Sequence, residues 1–333
     1  MNLDRAKGSL LGLAVGDAVG TTQEFSRPGD RLPFPQLNLG PQTDLVGGGP
    51  FDLPAGHTTD DTQMAVCLAR TLRGAEHLDV AAVGTRYTEW MTGAFDVGQQ
   101  TRACLQQIGR GTPAALAGLF VWNAWEQEAA GNGSLMRTAP IGVYFCARPE
   151  ERRRASWWDS AITHADPRCI LACASLNAAI ALGLNDESAR APQLHQAARA
   201  ELPLLAAALS ADPRWPTARV EAAVVDLSDD LSLAERDDPQ LVVTKSQGFV
   251  RIAFRLAFWE LLHTRNFAEA VLDVTNRGGD SDTNAAITGA LVGALHGAAQ
   301  IPEAWTQRVL APADGEAFHE RYHPRDLLLI LDQ

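Results

Sequence analysis

The five cysteines contain no C-x-x-C pair, which removes the commonest dithiol and zinc-binding signatures. Cys169 and Cys173 stand four apart in an alanine-rich stretch and read as two small buried side chains, not a disulfide or a ligand pair. Positive charge is scarce: 28 Lys and Arg face 40 Asp and Glu, for a net charge of −12, so the basic footprint that nucleic acids require is missing. One basic run, Arg152-Arg153-Arg154, reads as a solvated helix start. No run of about eighteen apolar residues is expected to span a membrane, and the opening MNLDRAKGSLLGLAVG is too short in its apolar part and too weakly basic for a signal peptide. A reducing, cytoplasmic setting is the expectation. Alternating patterns are also rare; Leu241–Val243 is the best strand candidate and is too short to carry weight.

Helical periodicity fills the space. Amphipathic patterns cover Arg5–Val19, Asp61–Arg73, Asp79–Met91, Thr101–Ile108, Arg152–Thr163, Arg168–Leu182, Pro192–Leu209, Gly248–His263, Asn266–Thr275 and Thr283–Ala299. With 333 residues, 46% hydrophobic and 20% charged, the chain has material for a large core and reads as all-α. Two helices carry glycine every fourth residue: Gly8, Gly12, Gly16 and Gly20, then Gly289, Gly293 and Gly297. Glycine costs a helix about 1 kcal/mol relative to alanine, so each stripe predicts a face where another backbone approaches closely. Residues 26–57 are rich in Pro and Gly and predict a long ordered or lid-like loop; residues 210–245, with Pro213, Pro216 and several aspartates, predict a variable excursion from the core. Histidines such as His77, His195 and His263, and tryptophan pairs such as Trp157/Trp158, read as surface or packing residues.

Two acidic clusters open apolar helices: Thr59-Asp60-Asp61 and Asp280-Ser281-Asp282-Thr283. A helix N-terminus favours one Asp or Thr as a cap, and capping does not require four carboxylates. Together they make a hard, oxygen-only donor set suited to Mg²⁺ or Mn²⁺, with charge enough for two ions; zinc would want His or Cys. Glu24 joins this set because it follows the first glycine helix. Gly131-Asn132-Gly133-Ser134 before an apolar run is a candidate phosphate loop, with a plain Asn-Gly turn as the alternative. His319-Glu320-Arg321-Tyr322-His323 is a literal H-E-x-x-H, but Pro324 follows at once and no third ligand lies downstream, so a zinc peptidase is not expected.

Six stretches in order, GSLLGLAVGDAVGTTQEF from Gly8, TTDDTQMAV from Thr58, GAFDVGQQTR from Gly93, GNGSLMRTAPIG from Gly131, THADPRC from Thr163 and NRGGDSDTNAAITGALVGALHG from Asn276, resemble the ADP-ribosylglycohydrolase family. The bacterial branch of the dinitrogenase reductase-activating glycohydrolase looks most similar. The resemblance implies a compact all-α orthogonal bundle over residues 1–333 as one domain. It implies a binuclear Mg²⁺ or Mn²⁺ centre held by Thr59, Asp60, Asp61, Asp280, Asp282 and Thr283, with Glu24 at the metal cleft. Asp96 matches a catalytic aspartate of the arginine-directed branch. Where that branch reads D-I-G-N this chain reads Asp96-Val97-Gly98-Gln99, so Gly98 and a longer amide, Gln99, fall near the ribose. Gly131, Asn132, Gly133, Ser134 and Met136 match the pyrophosphate loop, His164 a histidine of the ADP-ribose cleft, and Gly248 and Phe249 the adenosine end. The implied reaction is hydrolysis of ADP-ribosyl-arginine on a protein, releasing ADP-ribose, by a monomer that engages neither membrane nor nucleic acid. Other linkages (serine, O-acetyl-ADP-ribose, a nucleic-acid adduct) and a non-catalytic ADP-ribose binder are the alternatives.

Overall fold

The computed structural model describes residues 1–312 and 316–332. Among these there are fifteen α-helices and no strand, only isolated bridges. In chain order they are α1 Leu3–Gly20, α2 Asp60–Leu72, α3 Val80–Met91, α4 Gln99–Gly109, α5 Ala114–Ala124, α6 Ala139–Tyr144, α7 Pro149–Thr163 and α8 Pro167–Asn185. α9 Ala191–Ser210, α10 Thr217–Ala234, α11 Val250–His263, α12 Phe267–Asn276, α13 Ser281–His296, α14 Glu303–Val309 and α15 Ala317–Arg321 follow. The all-α expectation holds. The short Leu241–Val243 segment forms no strand.

α1 and α13 form the central pair, antiparallel and in backbone contact, as the glycine stripes predict. A Cβ built on Gly8, Gly12, Gly16 or Gly20 would fall under 3.0 Å from the α13 backbone, and one on Gly289 or Gly293 would meet α1 in the same way. α8 packs across α7, α9, α10 and α13. It is a 19-residue helix apolar enough to cross a membrane, against the expectation that no such run exists, yet 89% of its apolar window is buried inside the protein. Core burial accounts for its composition.

Residues 210–245 are not an excursion from the core. They hold α10, eighteen residues long, which buries Val220, Ala223, Leu227, Leu231 and Ala234 against α9 and α11. The basic run is not wholly solvated either: Arg152 is buried and its guanidinium lies 3.5 Å from Glu201, which Arg153 reaches at 2.6 Å. Trp157 and Trp158 stack at 5.2 Å and pack edge-on to buried Trp215. The H-E-x-x-H segment cannot hold zinc, because α15 ends at Arg321 and His323 spends both ring nitrogens on backbone. Nε2 pairs with the Ala311 carbonyl at 2.8 Å and Nδ1 accepts from Arg325 N at 3.1 Å.

The loop over residues 26–57 is clamped rather than free. Gln42 exchanges two hydrogen bonds with Asn276, each 2.9 Å, and Arg277 lies 3.5 Å over the Phe34 ring. Fully buried Asp273 accepts from Arg277 Nε at 2.6 Å and from Asn38 Nδ2 at 3.2 Å. Glu260 on α11 is buried beside this aspartate, and burial first, then the Asp273 charge, raise its carboxyl well above the usual range. The folded protein therefore binds a proton that the unfolded chain releases near pH 4.3. That contribution is complete below this pH and is lost as pH rises toward the folded value, at up to about 1.4 kcal/mol per pH unit. Glu260→Gln should flatten the fall in urea-unfolding free energy between pH 5 and 8 and exceed wild type at the upper end; parallel curves for the two proteins would refute this.

Candidate active site

Three helix ends meet at the site. Because α1 and α13 are antiparallel, Gly20 at the end of α1 abuts Ser281 and Asp282 in the first turn of α13. The 3-10 turn Thr21–Gln23 then carries Glu24 to the same place. α2 begins alongside with Thr59 as its N-cap and Asp60 and Asp61 in its first turn, while Asp280 is the N-cap of α13. Neither N-cap residue makes a side-chain capping bond, so capping does not explain the clusters.

Glu24, Asp60, Asp96, Asp280, Asp282 and Thr283 line a cleft of about 250 Å³, and Thr59 and Asp61 beside them are fully buried. Carboxylate oxygens of Glu24, Asp96 and Asp282 stand within 4.8 Å of one another. Thr59 Oγ1 is 3.0 Å from Asp61 Oδ2 and 3.5 Å from Asp282 Oδ2, and Thr283 Oγ1 donates to Asp61 Oδ2 at 3.4 Å.

Such crowding is costly without a counter-charge. Burial, then the charges of Asp96 and Asp280, push Glu24 up to about 9. Burial leads in raising Asp60, Asp61 and Asp282 well above the usual carboxylate range, and it raises Asp96 as well. Glu24 Oε2 and Asp61 Oδ1 are buried and have no protein partner among the described residues. A buried anionic oxygen without a partner is strongly destabilising. An oxygen-only donor set with orphaned oxygens fits a hard divalent cation, and His and Cys are absent from it.

Asp17 is the residue that sequence reasoning overlooked here. It sits fully buried inside α1 and accepts from Thr59 N at 3.0 Å, Thr59 Oγ1 at 3.0 Å, Thr62 N at 3.1 Å and Thr62 Oγ1 at 2.5 Å. It therefore pins the first turn of α2 to α1. Burial raises its carboxyl to about 6 against the lowering effect of these bonds. An aspartate following the apolar, glycine-striped run from Leu10 to Gly16 was the available signal.

The same cleft is also lined by Gly98, Gln99, Gln100, Gly131, Asn132, Gly133, Met136, His164 and Gly248. Asn132 ties the glycine loop to the acidic cluster: its Nδ2 donates to Asp280 Oδ2 at 2.7 Å and its backbone N donates to the Gly248 carbonyl at 3.0 Å. Gln100, not its neighbour Gln99, supports the loop, accepting from Gly131 N at 3.2 Å and donating to the Thr163 carbonyl at 3.1 Å. Ser134 does not reach the cleft. It is fully buried and accepts from Ser160 Oγ at 2.9 Å, because the turn after Gly133 dives into the core. Phe249 does not line the cleft either; as N-cap of α11 it bridges to Gly131 through its backbone, and its ring lies 5.5 Å from the Arg168 guanidinium.

Known proteins resemble this chain over most of its length. The ADP-ribosylarginine hydrolase Tri1 of Pseudomonas putida is 34% identical over 319 residues, covering 92% of this chain and 74% of that protein. The ADP-ribosyl-[dinitrogen reductase] glycohydrolase of Rhodospirillum rubrum is 27% identical over 312 residues, covering 92% and 90%. A solved structure described as an ADP-ribosylglycohydrolase-related protein complex superposes with a TM-score of 0.71 at 27% identity, covering 98% of this chain and 96% of that one. Residues 1–328 match the ADP-ribosylglycohydrolase family, and the chain belongs to it.

Proposed function

We propose that this protein hydrolyses the N-glycosidic bond between ADP-ribose and an arginine side chain of a modified protein, with Mg²⁺ or Mn²⁺ as its resident cofactor. The observation that carries the reading is a single cleft lined both by an acidic cage and by a glycine loop with His164. Such a cleft matches a ligand with a sugar diol at one end and phosphates at the other. Two relatives named as ADP-ribosylarginine hydrolases, at 34% and 31% identity, support the arginine linkage.

Thr59, Asp60, Asp61, Asp280, Asp282 and Thr283 would hold two ions, with Glu24 at their edge. Bound divalent cations supply charge neutralisation and Lewis acidity toward the ribose hydroxyls and the attacking water. Asp96 lines the cleft beside the acidic cage, with its carboxyl raised by burial, a position suited to proton transfer at the scissile bond. In the reaction the C1″–N bond breaks, Asp96 gives its proton to the departing guanidine nitrogen, and water adds its oxygen to C1″. The proton shed by that water returns to the carboxylate, which restores the starting state. Glu24, whose carboxylate stands within 4.8 Å of that of Asp96, positions the ribose or the water.

The test is to incubate the protein with arginine-linked and serine-linked ADP-ribosylated substrates, with Mn²⁺ or with chelator. Metal-dependent release from arginine alone is expected. Release from serine alone would overturn the linkage, and ADP-ribose binding without any release would leave only a binding protein.

A further inference from the structure

Arg137 is fully buried, an expensive place for a guanidinium, and nothing in the hydrolysis above uses it. Its partners fix it rigidly. Nε reaches Asp159 Oδ2 at 3.2 Å and NH2 the Asp159 carbonyl at 2.8 Å, while its plane lies 4.5 Å from the Tyr87 ring, whose hydroxyl donates to the same Asp159 at 2.8 Å. The remaining nitrogen, NH1, donates to the Gly133 carbonyl at 3.2 Å and to Thr163 Oγ1 at 2.9 Å. Thr163 Oγ1 in turn lies 2.8 Å from His164 Nδ1.

The direction of each proton follows. A guanidinium only donates, so Thr163 Oγ1 accepts from Arg137. The threonine hydroxyl also has one proton to place, and among the described residues His164 Nδ1 is the acceptor within reach of it, so that this buried proton is satisfied only when Nδ1 accepts. Nδ1 is thus the acceptor and the ring proton belongs on Nε2. Burial, and secondly the Arg137 charge, hold the imidazole well below its ordinary range, so the ring is neutral and has one proton to place. The Nε2–Cε1 edge faces the glycine loop: a Cβ on Gly131 would lie 3.0 Å from Nε2, and one on Gly133 would lie 2.8 Å from Cε1. Nε2 has no protein partner among the described residues, and His164 lines the cleft.

We infer that Arg137 and Thr163 are positioning residues that lock His164 as its Nε2–H tautomer, so that a fixed N–H donor meets the diphosphate of the bound substrate. The inference rests on the ADP-ribose reading for the identity of the anion, and on this chain's own hydrogen bonds for the tautomer. A neutral donor adjacent to a buried guanidinium serves an anion better than a free imidazole, which could rotate its lone pair into the cleft and repel phosphate oxygens. Thr163 would escape notice in sequence because it reads as the last residue of α7.

The tautomer is read first in the metal-loaded full chain without ligand, by long-range ¹H–¹⁵N correlation on histidine-labelled protein, with His164 assigned from His164→Asn. Wild type and Thr163→Ser should both display the Nε2–H pattern. Thr163→Val should lose the single tautomer and bind ADP-ribose about tenfold more weakly, the equivalent of one charge-assisted hydrogen bond. Thr163→Ser should restore affinity, and the loss in Thr163→Val should appear in KM more than in kcat. An Nδ1–H or charged ring in wild type would overturn the inference, as would Thr163→Val retaining both tautomer and affinity. If Thr163→Val does not fold, the wild-type and Thr163→Ser spectra decide the matter alone. Failure of wild type to bind either ADP-ribose or inorganic pyrophosphate would refute the functional reading without touching the tautomer result.

Discussion

Asp282→Asn is expected to melt at a higher temperature than wild type in chelator, to gain nothing from added Mn²⁺, and to lose about 10³-fold or more in kcat/KM. The three effects have one cause. Asp282 is fully buried, and burial and then the Glu24 charge raise its carboxyl well above the usual range. In the metal-free protein it is one of several like charges facing one another, so neutral asparagine relieves the fold. With cation present the same crowding becomes the binding energy, and wild type should rise in thermal midpoint with Mn²⁺ concentration by mass action. The activity loss corresponds to about 4 kcal/mol of transition-state stabilisation, within what a site polarising its substrate by metal supplies. Differential scanning calorimetry with and without Mn²⁺ checks the first two effects, and ADP-ribose release the third. A variant that melts below wild type in chelator would show that Asp282 stabilises the fold itself, and the cage would need another explanation.

The cage was legible because its chemistry is written in adjacent residues. Thr59-Asp60-Asp61 and Asp280-Ser281-Asp282-Thr283 each overload a helix start, and the excess over capping is visible without coordinates. Asp17 was hidden because its meaning depends on Thr59 and Thr62, more than forty positions away, which donate four hydrogen bonds to it. The arrangement around His164 was hidden for the same reason: Thr163 and Asp159 lie on α7, but Arg137, which joins them, comes from another segment. The glycine loop was legible only as a class of turn. Which of its groups face the cleft depends on where the chain dives inward, and that turn takes Ser134 into the core while Gly133 stays in the cleft wall.

Helix α10 marks where periodicity lost to composition. Pro213, Pro216 and the aspartates between Asp226 and Asp238 read as a loop, yet Val220, Ala223, Leu227, Leu231 and Ala234 keep one apolar face through them. Pro216 is the N-cap preceding this helix, a position that proline favours at or near a helix start. The acidic side of α10 is partly matched by arginines of the neighbouring helix: Arg251 reaches Asp230 at 2.7 Å and Arg255 reaches it at 2.5 Å. A string of aspartates is a loop signal only when nothing basic packs against it.

Gly12→Ala and Gly20→Ala should separate the fold from the site. In an isolated helix, alanine in place of glycine stabilises by about 1 kcal/mol. Here a Cβ on Gly12 would be driven into the Gly289 carbonyl, with Phe267 3.0 Å away, and neither helix can retreat without parting the central pair. Gly12→Ala is therefore expected to destabilise by about 3 kcal/mol or more, the upper end of the usual range for overpacking. Its folded fraction should keep wild-type Mn²⁺ affinity, because Gly12 lies two turns from the cluster. Gly20→Ala should cost comparable stability, since its Cβ would stand 2.5 Å from Asp282 Cα and 2.7 Å from Asp282 N. Relieving that clash moves the first turn of α13 and the carboxylates it carries, so Mn²⁺ affinity should fall by about 10–100-fold, the range for displacing the groups that orient metal ligands. Urea unfolding and calorimetric Mn²⁺ titration measure the two quantities independently. A gain of stability in Gly12→Ala would mean the helices are not in backbone contact. Equal Mn²⁺ affinity in both variants would mean that the register of α1 on α13 does not set the position of Asp280 and Asp282.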